Sequence, residues 1–180
     1  IEQKERDTLF ICKPVKTDDF VYTPAGIVHG IEGKLMMAEV QQSSDVTYRI
    51  YDYDRKDAQG NMRKLHIDSA CEATTIPYVE PEVDPIHLKE NGNEWIKYVD
   101  TDYFRVTRYK IKKAMTVSND RYSLCVALRG NGTLIVDHKR YAVRPGIGFI
   151  ITSKETSYTM EGDIDLLVSE PPKKKNKHNL

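Results

Sequence analysis

The sequence predicts a mainly all-β protein, and the clearest indication lies after Asn93. There, β-branched and aromatic residues form short runs that alternate with turns rich in glycine, proline, asparagine and aspartate. Short strands at even spacing are typical of a sandwich or a jelly-roll barrel. The predicted strands are 103–112, 122–128, 133–136, 139–143, 149–151 and 164–169, and the predicted turns are 130–132, 137–138, 145–146 and 161–163.

The composition narrows the function classes. Lys plus Arg and Asp plus Glu number 27 each in 180 residues, so the formal net charge is zero and gives no case for nucleic acid as a partner. No apolar run approaches the roughly 18–20 residues of a membrane span, and no signal-peptide pattern opens the sequence. The cysteines at positions 12, 71 and 125 are odd in number and widely spaced, which favours a reducing cytoplasm. Cys12 and Cys125 lie in apolar runs and are predicted to be buried.

The first part of the chain carries a turn that ends in a histidine. Pro24 presets its φ angle and Gly26 accepts a positive one, so together they predict a sharp turn between two strands. His29 follows three residues after the glycine and can begin the next strand. The strands predicted in this part are 8–15, 20–23, 34–42 and 47–53.

Two charged residues on neighbouring predicted strands complete a candidate site with His29. The two-residue period of a strand places Glu39 on one face of its strand, and Arg49 shares a face with Tyr51 and Tyr53. A carboxylate, an arginine and an imidazole suit a polar, anionic substrate. The simpler alternatives are a solvated histidine and a cross-strand Glu39–Arg49 ion pair of about 0.2–1 kcal/mol.

The remaining segments connect these parts. Residues 54–64 are polar and predict an exposed loop, while 66–75 has the periodicity of a helix that begins at His66. Residues 78–100 hold prolines among acidic residues and predict a linker. The tail, 171–180, is basic and led by proline, and it is predicted to be disordered.

Several of these motifs together resemble a known family. P-x-G-x-x-H, from Pro24 to His29, resembles the second conserved motif of cupin barrels. The strings DFVYTPAGIVH and AEVQQSSDVTYRIYDYDR closely resemble type I phosphomannose isomerases (mannose-6-phosphate isomerases) of the bacterial kind. The likeness runs from Asp7 to Pro77 and continues more weakly to Ser169. Further on, LRGNGTLIV and YAVRPGIGFIIT resemble the core of a second, small cupin.

The resemblance implies two cupin, or jelly-roll, barrels: one partial and one complete, with a short connecting helix. Residues 1–77 would form the C-terminal part of the first, catalytic barrel plus the helix, and 78–100 would link it to the second barrel at 101–170. Ser157 falls opposite His29 when the two barrels are superposed by sequence, so the second barrel is expected to be metal-free.

The resemblance also implies a zinc-dependent interconversion of mannose 6-phosphate and fructose 6-phosphate through an enediol. By position, His29 matches a zinc ligand, and Glu39 matches an active-site carboxylate that is one candidate for the base. Arg49 matches the arginine assigned to enediolate or phosphate contacts.

One departure limits what this chain is expected to do alone. The family's other zinc ligands, a Q-x-H pair and a glutamate, lie upstream of the matching region, and no Q-x-H occurs in the sequence. Catalytic zinc sites use about three protein ligands. We therefore expect the C-terminal half of an isomerase, inactive without an N-terminal half. The alternatives are a non-catalytic cupin that binds sugars or a partner, and a structural half that acts only when joined to a separate polypeptide.

Overall fold

A computed structural model describes residues 9–44 and 46–172, which divide into two compact units. The first unit contains the described residues up to Glu82 apart from Ala38–Gln42. The second contains Ala38–Gln42 and the described residues from Val83 onward. No helix in the described part of the chain is long and apolar enough to cross a membrane.

The second unit contains eight strands: β1 (Ile86–Glu90), β2 (Asn93–Asp100), β3 (Arg105–Ile111), β4 (Met115–Ser118), β5 (Ser123–Val136), β6 (Lys139–Val143), β7 (Gly148–Ile151) and β8 (Ser157–Glu170). They form one antiparallel sheet in the order β1-β2-β3-β8-β5-β6, with β4 paired to β8 and β7 paired to β5. The mainly β class predicted from the sequence is confirmed.

The core of this unit is built by side chains that alternate along the strands. In β5, Ser123, Cys125 and Ala127 are buried whereas Leu124 and Val126 are exposed, as the two-residue period of a strand requires. Burial raises the pKa of the Cys125 thiol to about 12, which keeps it protonated and unreactive. The predicted burial of Cys125 is confirmed, and strands β3 to β8 all contribute to one core: Ile111, Val117, Cys125, Ala127, Leu134, Val143, Ile151, Tyr158, Met160, Ile164, Leu166 and Val168.

Strands β5 and β8 are longer than predicted because two glycine segments lie inside them. The turns predicted at 130–132 and 161–163 are wrong, since these segments pair with each other across the two strands. A Cβ atom on Gly130 would lie 2.0 Å from the Asp163 carbonyl oxygen, and one on Gly162 would lie 2.5 Å from that of Asn131. Glycine serves here for the close approach of two backbones within the ladder, rather than for a chain reversal.

The hairpin β1–β2 replaces most of the predicted linker, so the assignment of 78–100 to a linker is wrong from Ile86 onward. Asn91 and Gly92 connect the two strands with φ angles of 51° and 82°. Asn-Gly is the preferred pair for a two-residue hairpin turn, and it was the overlooked signal. By contrast, the predicted turn at 137–138 is confirmed, with φ angles of 47° and 58°.

The first unit contains helix α1 (Ile67–Ala73), which lies within the helix predicted at 66–75. The strands predicted at 8–15, 20–23, 34–42 and 47–53 do not form among the described residues. Within residues 9–44 and 46–82, β-pairing is limited to one isolated bridge, between Lys56 and Met62. A strand requires a neighbouring backbone that accepts and donates a series of hydrogen bonds, and these segments form no such ladder among the described residues. Cys12 is exposed, so its predicted burial is wrong. The basic residues of the predicted tail from position 173 lie outside the described residues.

Candidate functional site

The turn that leads to His29 is formed as predicted and is fixed to the end of α1. The Ile27 N–H group donates to the Pro24 carbonyl over 3.4 Å, and Gly26 has a φ of +88°. The Thr75 N–H group donates to the Gly26 carbonyl over 2.9 Å. A Cβ on Gly26 would lie 2.5 Å from Thr75 Oγ1, so both the φ angle and the space require glycine.

His29 is exposed, and a backbone carbonyl two residues earlier sets the direction of its ring. Nδ1 lies 2.9 Å from the Ile27 carbonyl oxygen. A carbonyl only accepts hydrogen bonds, so in the neutral ring this contact places the proton on Nδ1 and the lone pair on Nε2. The Tyr53 hydroxyl lies beside the next residue, since a Cβ on Gly30 would be 2.9 Å from it. The imidazole is therefore oriented to offer one ligand nitrogen.

Arg49 is held at its backbone by His66, the residue that precedes α1. The Arg49 N–H group donates to His66 Nδ1 over 3.2 Å, and the His66 N–H group donates to the Arg49 carbonyl over 2.8 Å. The Arg49 guanidinium donates through Nη1 to the Lys64 carbonyl over 3.5 Å. His66 therefore fixes the position of Arg49, in agreement with its predicted place at the start of a helix.

A carboxylate that the sequence analysis missed lies beside Arg49. Asp52 is buried and contacts Arg49 Nε over 3.7 Å and Arg63 Nε over 2.5 Å, and it also accepts from Arg63 Nη2. The hydrogen bond from Arg63 lowers the pKa of the Asp52 carboxyl below its usual value. No sequence signal predicted this pairing, because Arg63 lies in a polar loop and meets Asp52 only after the chain has reversed.

The reversal begins in a left-handed turn directly after Asp52. Tyr53 and Asp54 have φ angles of 55° and 53°, which are uncommon for residues with a side chain. The Arg55 N–H group donates to the Asp52 carbonyl over 3.1 Å, and the Arg55 guanidinium lies 5.2 Å from the centre of the Tyr53 ring. The Tyr51 and Tyr53 rings are 5.1 Å apart. Arg55 and the two tyrosines therefore lie close together within the segment that follows Arg49.

The structure brings His29 and Arg49 into the same unit, while Glu39 lies on a segment that groups with the other. Glu39 is exposed, and its role as an active-site carboxylate stays a prediction. Ser157, the predicted counterpart of His29 in the second barrel, is the exposed first residue of β8.

The described residues do not fit a zinc ion by themselves. Across residues 9–44 and 46–172, no three or more His, Cys, Asp or Glu side chains lie together as a metal site would need. His29 offers one nitrogen, whereas a catalytic zinc uses about three protein ligands.

Comparisons with known proteins find similarity to mannose-6-phosphate isomerases. Residues 94–171 match the family model described as mannose-6-phosphate isomerase, cupin domain. The chain is 40% identical over 159 residues to the probable mannose-6-phosphate isomerase GmuF of Bacillus subtilis, covering 87% of this chain and 50% of that protein. It is 36% identical over 164 residues to the mannose-6-phosphate isomerase of Streptococcus mutans, covering 91% and 52%.

A solved structure extends this result to the fold. The crystal structure of the mannose 6-phosphate isomerase from Bacillus subtilis superposes with a TM-score of 0.67 at 32% identity, covering 72% of this chain and 41% of that one. The antiparallel sheet is therefore cupin-like. The chain is similar to mannose-6-phosphate isomerases, and it spans about half the length of the curated relatives it matches.

Proposed function

We propose that this chain supplies one half of an isomerase that interconverts mannose 6-phosphate and fructose 6-phosphate through an enediol. The observation that carries the proposal is the 31–40% identity to mannose-6-phosphate isomerases over 86–94% of the chain. In this proposal, residues 1–77 belong to the catalytic barrel, and 101–170 together with β1 and β2 form the second, metal-free barrel.

The reaction sets two physical requirements that residues of this chain can meet in part. A base within hydrogen-bond reach must remove the proton from C2, and Glu39 is a candidate for that base. The enediolate oxygens need positive charge nearby, and the phosphate needs a fork of donors. The guanidinium of Arg49 offers both, and its main chain is already fixed by His66.

Zinc would require further ligands from outside the described residues. Within them, His29 is proposed as one ligand, because Nδ1 is engaged with the Ile27 carbonyl and Nε2 is left to bind. When bound, zinc supplies a positive charge that polarises sugar oxygens.

A chimera tests this function. The Streptococcus mutans isomerase is rebuilt with this chain in place of the half that it matches, and fructose 6-phosphate formation is measured by a coupled assay together with zinc content. We expect isomerisation by the chimera and a loss of zinc in its His29→Ala variant, with the unaltered Streptococcus mutans enzyme as the positive control.

Two results would contradict the proposal in separate ways. A folded, zinc-loaded chimera without isomerase activity would reject the reaction. Unchanged zinc stoichiometry in the His29→Ala variant would reject only the ligand assignment.

A second candidate is a non-catalytic cupin that binds a sugar or a protein partner. This candidate does not require the three-ligand cluster that the described part of the chain lacks. Binding of mannose 6-phosphate to the chain, together with an inactive chimera, would support this candidate over the isomerase.

A further inference from the structure

The side chains of Arg49, Asp52 and Arg63 form a cluster that the isomerase proposal does not yet explain. Both guanidinium groups contact the same oxygen, Oδ1 of Asp52: Arg49 through Nε at 3.7 Å, and Arg63 through Nη2. Arg63 also reaches the second oxygen, Oδ2, through Nε at 2.5 Å. One carboxylate therefore brings two guanidinium groups side by side, with one positive charge in excess.

Burial differs along the cluster in a way that suits a binding site. The Asp52 side chain is 9% exposed and that of Arg49 23%, while that of Arg63 is 47% exposed. The carboxylate thus lies beneath the arginines and is shielded from water. Arg63 uses Nε and Nη2 on Asp52, so Nη1 remains outside that pair. Paired arginines that present several donors are the usual means of binding a phosphate group.

We propose that Asp52 is a positioning residue that holds Arg49 and Arg63 together as a binding site for a phosphate group. The site rests on the proposed function, since the phosphate would be that of the hexose phosphate. The proposal adds Arg63 as a second substrate-binding residue, and Asp52 would hold both Arg49 and Arg63 in place. An alternative is an ion-pair cluster that only stabilises the loop between them.

Replacement of Asp52 by asparagine separates the two explanations. The substitution keeps the shape of the side chain and removes one negative charge, so the arginines gain net positive charge. If Asp52 merely neutralised them, phosphate would bind more tightly. If Asp52 positions them, phosphate binds more weakly despite the added charge, because the two guanidinium groups repel each other and separate.

The test uses the full 180-residue chain and inorganic phosphate, titrated by calorimetry, with mannose 6-phosphate and mannose titrated for comparison. We expect phosphate and mannose 6-phosphate to compete and mannose not to bind. Binding should weaken at least fivefold in Asp52→Asn and in Arg63→Ala. Arg63→Lys should fail to restore it, because an ammonium group cannot span both oxygens of Asp52. Arg140→Ala, which removes an exposed arginine from its pair with Glu161, is the matched control and should change binding less than twofold.

Each outcome is decisive. Absence of phosphate binding by the unaltered chain, or tighter binding by Asp52→Asn, overturns the proposal. If circular dichroism shows that Asp52→Asn does not fold, Arg63→Lys decides, and near-native binding by that variant overturns the proposal as well. Phosphate binding in a chain whose chimera lacks isomerase activity would reject the proposed reaction and leave this site standing.

Discussion

Replacing Arg49 by alanine in the active chimera is expected to lower kcat/KM for mannose 6-phosphate by about 10²–10³-fold, the usual effect of removing one preorganised donor. The guanidinium is held between Asp52 and the Lys64 carbonyl, and its backbone is fixed by His66. It therefore needs little reorganisation to meet a developing negative charge. Arg49→Lys should also be damaging, because lysine keeps the charge and loses the planar fork.

The measurement for Arg49 is steady-state kinetics in the coupled assay, with Arg140→Ala as the control for loss of an exposed arginine. Kinetics within twofold of the unaltered chimera would return Arg49 to the simpler interpretation, that of a local ion pair with Asp52.

A large loss of stability is expected when the buried ion pair of the sheet is broken. Arg108 on β3 and Asp165 on β8 lie diagonally on adjacent strands, and Arg108 Nε donates to Asp165 Oδ1 over 2.8 Å. Their side chains are 3% and 12% exposed. Asp165→Asn leaves the arginine charged and buried, so the free energy of unfolding should fall by about 3–5 kcal/mol.

An exposed pair in the same unit provides the control for Asp165. Arg140 and Glu161 are 2.7 Å apart with side chains 59% and 40% exposed, and Glu161→Gln should cost about 0–1 kcal/mol. Both variants are compared by urea denaturation. Equal losses in the two would show that burial does not govern the Arg108–Asp165 pair.

The sequence predicted best the elements that local chemistry determines. Strand β6 begins and ends at the predicted residues, and the turns after Pro24 and at Asp137–His138 form as expected because proline, glycine and aspartate act on their own backbone. The turns predicted at Gly130 and Gly162 were wrong, because the requirement for glycine there comes from a distant strand. Composition alone does not distinguish a turn from a close approach of two backbones.

The same difference between local and distant interactions explains which residues of the candidate site were predicted. His29, Glu39 and Arg49 were found because they fall in contiguous motifs, whereas Asp52 and Arg63 were missed. Their pairing depends on the left-handed turn at Tyr53 and Asp54, a conformation that aspartate tolerates but tyrosine rarely adopts. The strands predicted around His29 failed for a related reason: alternation along the sequence predicts a strand, but only a hydrogen-bonding neighbour forms one.

We propose that this chain carries part of an isomerase site and needs further ligands to act. The most direct test is the rate of fructose 6-phosphate formation from mannose 6-phosphate by the purified 180-residue chain, with zinc added. The account predicts no turnover above the rate without protein, since His29 alone of the proposed zinc ligands lies in the described residues. Turnover that disappears in the Arg49→Ala variant would contradict it, because the chain would then complete the site by itself.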